Sequence, residues 1–278
     1  MNAFTASALS VAILIVFQAL TVLGVWLIGE RRWPAQTPRP ASDRSNLHVW
    51  VFGLLTQFVL SPAMGVVVTM LVNRLGGGLI DLPTHGWGLL AGVAAYFVAM
   101  DFGEFAFHRA QHRLPWLWAW HSLHHSDTSY DATTTVRHFW MDQLLKSVTI
   151  WLAIGLLFKA APPIPLIYGI ITLYNFVIHS NTRLDFGRGS WVLNAPGYHR
   201  LHHSSSPEHF DINFAALLPI FDVLGGTYRP AKPGEVPATG LDTGDTPREV
   251  LDVVVWPVRD RVRRPDDAGA APIPQSQS

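Results

Sequence analysis

The sequence predicts an all-α protein, an integral membrane helical bundle. Charged residues make up only 14% of its 278 residues and apolar residues 49%, whereas soluble domains have about 25% charged residues. In addition, three apolar runs approach or exceed the roughly 20 residues that a spanning helix needs. They cover residues 7–28, 48–72 and 87–107. These two observations predict a chain that crosses a bilayer several times.

The first run is expected to be a retained anchor, because no basic segment precedes it and no clear cleavage site follows. Residues 144–180 contain two further apolar arms on either side of an Ala-Pro-Pro break. Since proline interrupts helices, they predict a helical hairpin that enters the bilayer, and the sequence leaves open whether each arm spans. We therefore divide the chain into N-terminal spans (1–86), a histidine-bearing domain (87–228) and a polar, partly disordered tail (229–278).

Basic residues predict the orientation. The loop over residues 29–46 carries four arginines, whereas the first six residues carry no charged side chain. Cytoplasmic loops are enriched in Lys and Arg, so this loop and the end of the third run are expected in the cytoplasm. The small extramembrane portion suggests a multi-pass bacterial inner-membrane protein. The arginines are Arg31, Arg32, Arg39 and Arg44.

Composition excludes several classes of site and partner. The chain has no cysteine, which rules out disulfides, thiolate metal sites and cysteine nucleophiles. Its formal net charge is zero, and we expect no nucleic-acid partner. Any metal would be held by nitrogen and oxygen ligands.

Histidines carry the strongest chemical signal. Eleven of the thirteen lie between residues 108 and 209, mainly as an H-x-x-x-H pair and two H-x-x-H-H triplets. Residues three or four apart share a helix face, while adjacent residues point about 100° apart. His124 and His125 can thus serve two different metals. With His179, the three motifs provide nine imidazoles, enough for two ions at four or five each, and imidazole suits zinc, copper, iron or nickel.

Two other classes compete with an oxidative enzyme. A metal transporter would place its ligands near the middle of the spans, whereas these histidines lie at predicted helix ends. A zinc hydrolase commonly uses H-E-x-x-H, which the sequence lacks. Trp116, Trp118 and Trp120 are expected to form an interfacial aromatic belt.

Four segments, "DFGEFAFHRAQH", "WAWHSLHHS", "NFVIHSN" and "PGYHRLHHSSSPEHFDINFAALLPIFDVLGGTY", resemble the fatty acid hydroxylase/sterol desaturase superfamily of integral membrane di-iron enzymes. The resemblance covers about residues 90–228. It implies hydroxylation or desaturation of an unactivated lipid C–H bond with O2 as co-substrate; the alternatives are another metal-dependent lipid-modifying enzyme or, less favoured, a metal transporter. The substrate class stays open among sterol, fatty acyl, alkyl and carotenoid lipids.

The resemblance also implies the site. Its pattern assigns nine metal ligands, with His138 as a further candidate, and a cofactor of two Fe ions. Zinc can replace iron in isolated protein, because it binds nitrogen sites more tightly. Electrons would come from a separate ferredoxin, cytochrome or reductase. The nine ligands are His108, His112, His121, His124, His125, His179, His199, His202 and His203.

Carboxylates are expected to accept hydrogen bonds from the outer ring nitrogens of the ligands. Asp101 and Glu104 stand seven and four residues before His108, and intramembrane acids are usually functional. Asn213 is a further candidate, and Asn175 stands where some members of the superfamily have another histidine. The remaining acidic candidates are Asp127, Asp131, Asp142, Asp185, Asp211 and Asp222.

Overall fold

The computed structural model describes residues 3–37, 40–159 and 163–259, and these residues are mostly helical. Arg39 and residues 260–278, the end of the tail expected to be partly disordered, lie outside the described residues. The α-helices are α1 (Ala3–Val25), α2 (Pro40–Arg74), α3 (Gly86–Arg113), α4 (Pro115–His125), α5 (Asp142–Lys146), α6 (Leu152–Leu157), α7 (Pro163–Thr172), α8 (Asn175–Ile178), α9 (Pro196–His202), α10 (Ile220–Gly225) and α11 (Val250–Val254).

Short elements link or extend these helices. Single π-helical turns continue α1 and join α5 to α6, and two-residue strands β1 and β2 pair in parallel. The π turns are Trp26–Glu30 and Ser147–Trp151, the strands are Ile80–Asp81 and Phe158–Lys159, and the 3₁₀ turns are Ala132–Val136, Gly187–Trp191, Pro207–His209 and Trp256–Val258.

Among the described residues, three helical segments are long and apolar enough to cross a membrane: Ala12–Glu30, Val49–Arg74 and Gly86–Arg113. They coincide with the three apolar runs of the sequence, as predicted. Large apolar side chains point outward, including Leu20 (59% exposed) and Leu55 (60%). Such surfaces are costly in water and suit contact with lipid tails.

The apolar hairpin packs against α3. Its first arm runs through α5, a π turn and α6, and its second through α7 and α8. Tyr96 and Met100 of α3 form one buried cluster with Ile154 and Tyr168 of the hairpin. The second arm, Pro163–Ile178, is shorter than the three candidate spans. The hairpin therefore forms a wall beside the third span.

At Gly103, α3 lies very close to the first arm of the hairpin. A β-carbon at Gly103 would lie 2.9 Å from a methyl carbon of Ile150, a distance at which the Ile150 side chain or the backbone would have to shift. Glycine lets α3 and the hairpin come into direct contact just before α3 reaches His108.

The C-terminal segment covers the histidine-bearing helices. Trp256 is fully buried and donates a hydrogen bond from Nε1 to Ser122 Oγ of α4 (2.9 Å). Thr239 bridges to Ser204, and Gly240 N donates to the carbonyl of His203. The described part of the tail is thus packed onto the body, while the domain boundaries stay predictions.

Candidate metal centre

The consecutive helices α3 and α4 carry the first five of the nine predicted ligands. His108 and His112 lie one turn apart on the last part of α3, and α3 ends at Arg113. Leu114 is extended and Pro115 begins α4, since proline is well suited to the first position of a helix. His121, His124 and His125 occupy the end of α4, which folds back toward α3.

The other four histidines come from the ends of two short helices. His179 directly follows α8, and α9 starts at Pro196 and carries His199 and His202, with His203 at its C-terminus. The structure therefore brings the consecutive ends of α3 and α4 together with two segments that lie more than fifty residues further along the sequence. All nine imidazoles meet at one place.

The nine rings form two groups, each with one ring nitrogen per residue within 4.8 Å of all the others. Group A contains His108, His112, His121, His125 and His202; group B contains His124, His179, His199 and His203. Adjacent histidines enter different groups in both triplets. The five-and-four division matches the sequence-based prediction of two neighbouring sites with four or five imidazoles each.

Ring nitrogens point toward one another inside the groups. His112 Nε2 lies 3.1 Å from His125 Nε2 in group A, and His179 Nε2 lies 3.0 Å from His199 Nε2 in group B. Several others are buried without a hydrogen-bond partner, including Nε2 of His108, His202 and His203. Buried polar atoms usually have partners, and converging unpaired imidazole nitrogens fit divalent metal ions.

Electrostatics keeps these rings neutral. Burial, reinforced by repulsion from neighbouring imidazoles, lowers the pKa of each ring in the α4 and α9 motifs well below its usual value. Burial also lowers the pKa of His179 to about 3. Metals bind the neutral form of imidazole, so the folded site presents its ligands in the required state. The α4 and α9 rings are His121, His124, His125, His199, His202 and His203.

Backbone carbonyls orient three of the rings. His108 Nδ1 donates to the carbonyl of Phe214 (2.8 Å), His202 Nδ1 to that of Ile212 (2.7 Å), and His179 Nδ1 to that of Asn175 (2.8 Å). When Nδ1 carries the proton and donates it in a hydrogen bond, Nε2 keeps its lone pair and can bind a metal. Carboxylates were expected in this role; peptide oxygens occupy it instead.

One carboxylate does approach a ring. Asp211 Oδ1 lies 3.5 Å from His112 Nδ1, and its side chain is 56% exposed. The neighbouring His112 ring lowers the pKa of Asp211. Asp211 and Asn213 both adopt left-handed backbone conformations, with φ of 57°, which Asp and Asn tolerate better than most residues. This shape presents the Ile212 carbonyl to group A.

Asn213 and Asp101 hold the backbone around the rings. The Asn213 amide donates to the carbonyls of Tyr198 and Arg229. The Asp101 carboxylate is 1% exposed and accepts hydrogen bonds from the backbone N–H groups of Leu217 and Leu218. Neither side chain bonds an imidazole.

Glu104 and Asn175 also differ from expectation. Glu104 Oε2 accepts a hydrogen bond from Lys146 Nζ at 2.7 Å, which ties α3 to the hairpin. Asn175 contributes its backbone carbonyl to His179, while its side-chain amide donates to the carbonyl of Thr172. The backbone of Asn175, and not its side chain, therefore contacts the site.

Other predicted acids stabilise loops. Asp127, Asp131 and Asp185 accept hydrogen bonds from nearby backbone N–H groups of Ser129, Thr133 and Gly187, respectively. Although burial by itself raises the pKa of Asp127, the Arg137 guanidinium and three hydrogen bonds hold it below its usual value.

His138 lies beside group B and is part of a third cluster. Its ring stacks on His124 with centroids 4.5 Å apart and planes 9° apart. His138, His121 and Asp142 have ligand atoms within 4.8 Å of one another.

Trp118 lies against the rings of group A. Its centroid is 4.9 Å from that of His112 and 5.3 Å from that of His125. The sequence favoured an interfacial belt for this tryptophan. Trp118 stands three residues before His121 and seven before His125. Residues at this spacing share a helix face, so the sequence could have predicted that Trp118 lies beside these histidines.

A cavity of about 330 Å³ connects both groups with the membrane-spanning part of the protein. Its lining includes His108 and His121 of group A and His124 of group B. The lining also includes apolar side chains from the spans, among them Leu14 and Leu54. Its size lies in the range of about 300–1,000 Å³ that small-molecule sites have.

Comparisons with known proteins give a consistent result. Residues 93–227 match the family model described as fatty acid hydroxylase. The chain is 34% identical to alkylglycerol monooxygenase of Xenopus tropicalis over 204 residues, 72% of this chain and 43% of the relative. For alkylglycerol monooxygenase of Homo sapiens the identity is 33% over 136 residues, 48% and 29% of the two chains.

Ornithine lipid hydroxylase OlsE of Rhizobium tropici is 26% identical over 222 residues, 77% of this chain and 67% of that protein. The chain spans less than half the length of the alkylglycerol monooxygenases that it matches. No solved structure matches it.

Proposed function

We propose that this chain, whose residues 93–227 match the fatty acid hydroxylase family model, is a membrane-bound dinuclear metal enzyme that hydroxylates a C–H bond of a lipid. The observation that carries this proposal is the cavity that joins both histidine groups to the apolar spans. A lipid chain entering between the spans would reach the histidines without crossing water. The names of the relatives, monooxygenase and hydroxylase, favour hydroxylation over desaturation.

The residues present fit two iron ions. Group A offers five neutral imidazoles and group B four, and the carbonyls of Phe214, Ile212 and Asn175 hold three rings with their Nδ1 atoms turned away. The bound metals would supply the activation of O2 and the oxidation of the C–H bond. The chain itself orients the ligands, keeps them unprotonated and lines the approach of the substrate.

The overall reaction consumes one C–H bond, O2, two electrons and two protons, and yields the alcohol and water. The electrons would come from a separate protein such as a ferredoxin, a cytochrome or a reductase. We further propose that the metal centre faces the cytoplasm of a bacterial inner membrane, which the arginines after the first span favour.

The relatives indicate which lipids to test. Their names specify alkylglycerols and ornithine lipids, which combine an alkyl or acyl chain with a polar headgroup. The cavity has a matching division, since Leu14 and Leu54 line it together with Asp142 and Lys146.

The direct test is turnover by iron-loaded protein in lipid vesicles with a chemical reductant and isotopically labelled O2. Mass spectrometry of alkylglycerols, ornithine lipids and total bacterial lipid should show a product that carries one labelled oxygen atom. A product that has lost two hydrogens without gaining oxygen would identify a desaturase instead.

His124→Ala serves as the matched negative control, because it removes one ligand from group B while leaving the spans unchanged. Equal label incorporation by this variant and the unaltered protein would contradict the proposal. So would the absence of any oxidised lipid when metal content and reductant are both sufficient.

A further inference from the structure

Asp142 is a buried carboxylate whose oxygens receive no hydrogen bond from the described part of the chain. Its side chain is 2% exposed, and among the described residues neither Oδ1 nor Oδ2 has a hydrogen-bond partner. His138 Nδ1, which is also unpaired, lies 3.5 Å from Asp142 Oδ2, too far for a good direct hydrogen bond. Leaving such groups unpaired in the interior is costly, so a group that donates to the carboxylate and accepts from the ring would stabilise this pair.

The nearby cation does not satisfy this carboxylate. Lys146 lies four residues along the chain, but its Nζ donates to Glu104 Oε2 at 2.7 Å. Glu104, Lys146 and Asp142 all line the same cavity. Because Lys146 donates to Glu104, Asp142 still lacks a hydrogen-bond donor among the described residues.

The location links Asp142 to the metal centre. Asp142 and His138 both line the cavity that reaches groups A and B. His138 stacks on His124 of group B, and Asp142 has an oxygen within 4.8 Å of ring nitrogens of both His138 and His121 of group A. A small polar group bound here would lie beside residues of both histidine groups, in a cavity that apolar side chains of the spans also line.

We propose that Asp142 and His138 bind a hydroxyl group of the lipid substrate. One hydroxyl group can contact both atoms across their 3.5 Å separation, donating a hydrogen bond to the carboxylate and accepting one from the ring N–H. An ammonium group has no lone pair with which to accept from the ring N–H, which favours glycerol-type over amine-type headgroups. The inference rests on the proposed function and specifies the substrate feature that the cavity recognises.

Binding rather than turnover tests this site. An alkylglycerol with free hydroxyls and the same lipid with its hydroxyls methylated are titrated into metal-loaded protein, and tryptophan fluorescence reports binding, since Trp140 also lines the cavity. The unaltered protein should bind the free hydroxyl form at least about tenfold more tightly, which corresponds to about 1.4 kcal/mol. Equal affinity for the two lipids would overturn the proposal.

Asp142→Leu should remove this preference without lowering metal content, and its melting temperature should stay the same or rise because an unpaired carboxylate is replaced by an apolar side chain. Asp142→Asn provides a second, more conservative variant, in which the preference should shrink. Asp242→Asn is the matched control, since Asp242 is exposed and lies outside the cavity lining, and it should leave the preference intact.

Two outcomes would replace the inference with a different role. Loss of metal from Asp142→Leu and Asp142→Asn would make Asp142 a metal ligand, and a large fall in melting temperature in both would make it structural. Failure of the proposed function is distinguishable, because it would show as absent lipid oxidation even where the binding preference and its loss in the variants are observed.

Discussion

Asp222 offers the sharpest test of how the fold holds the metal centre. Its carboxylate is fully buried and accepts four hydrogen bonds, two at each oxygen. Two come from the backbone N–H groups of Phe214 and Ala215 at 2.8 and 2.7 Å, and two from Tyr198 and Thr227. The Phe214 carbonyl in turn accepts from His108 of group A, so Asp222 fixes the peptide that orients a proposed ligand.

Asp222→Asn should destabilise the protein and weaken the site. The amide keeps one acceptor oxygen and replaces the other by an N–H₂ group, which faces one backbone N–H and one hydroxyl. The hydroxyl can rotate to accept, whereas the backbone N–H loses its partner and the remaining bonds lose their charged acceptor. Hydrogen bonds to charged groups contribute about 1.5–3 kcal/mol each, so losing one and weakening the others lowers the free energy of unfolding by about 3 kcal/mol. This lies at the upper end of single-residue effects and should lower the melting temperature by roughly 10 °C.

The assay compares melting temperature and metal content of the purified variant with those of Asp242→Asn, an exposed aspartate. Tyr198→Phe removes only one of the four donors and should give a smaller loss, about 1–2 kcal/mol. An unchanged melting temperature and full metal content in Asp222→Asn would refute the view that this carboxylate holds the Phe214 segment in place.

Four further outcomes are expected. His124→Ala should reduce the bound metal by about half, since only group B loses a ligand; elemental analysis that finds full content would contradict its role. Leu54→Trp should fill part of the cavity and lower turnover at least about tenfold without loss of metal. Leu55→Trp, at a neighbouring position that is 60% exposed, should leave turnover unchanged. Equal turnover rates in the two variants would show that the substrate reaches the site by another path. Glu30→Ala should cost about 2–4 kcal/mol of unfolding free energy, because Glu30 accepts from two buried N–H groups, and an unchanged unfolding midpoint would contradict this. In chelator-treated protein the melting temperature should fall as the pH drops below about 6.5, because the unfolded chain takes up protons that buried rings such as His179, with its lowered pKa, do not bind. Each such histidine lowers the free energy of unfolding by about 1.4 kcal/mol per pH unit. A melting temperature that stays constant between about pH 7.5 and 5 would contradict this expectation.

The sign of this pH effect follows from burial. Above about pH 6.5 the rings are neutral in both states and contribute no difference. Below it, imidazoles of the unfolded chain bind protons, while the folded rings resist until the pH approaches their own lowered pKa, about 3 for His179. Stability is therefore lost as the pH falls through this window.

Apolar run length and proline explain what could be foreseen in the helical bundle. Apolar runs predicted the three spans because the bilayer imposes a minimum length on any helix that crosses it. The break at Ala-Pro-Pro predicted the hairpin, since proline cannot continue a helix. The length of its second arm depends on how it packs against Tyr96 and Met100 of α3, a contact that no local pattern specifies.

The surroundings of the histidines could not be foreseen in the same way. Carboxylates were expected beside the rings, and Asp211 does lie beside His112, but peptide carbonyls orient three other rings. Every residue carries a carbonyl, and only the path of the chain selects which one faces a ring. The partners of Asp101 show the same limit: they are backbone N–H groups more than a hundred residues away.

By itself, the sequence determined which residues hold metal-binding potential, since the spacing of three and four residues in H-x-x-H-H places imidazoles on a helix face whatever the rest of the chain does. Only the tertiary structure decided that His121 joins α3 in group A while His124 faces His179 in group B, and that Asp142 lies unpaired in the cavity wall. The physical reason is distance along the chain: local spacing fixes direction within one helix, whereas the meeting of four separate segments depends on packing throughout the fold.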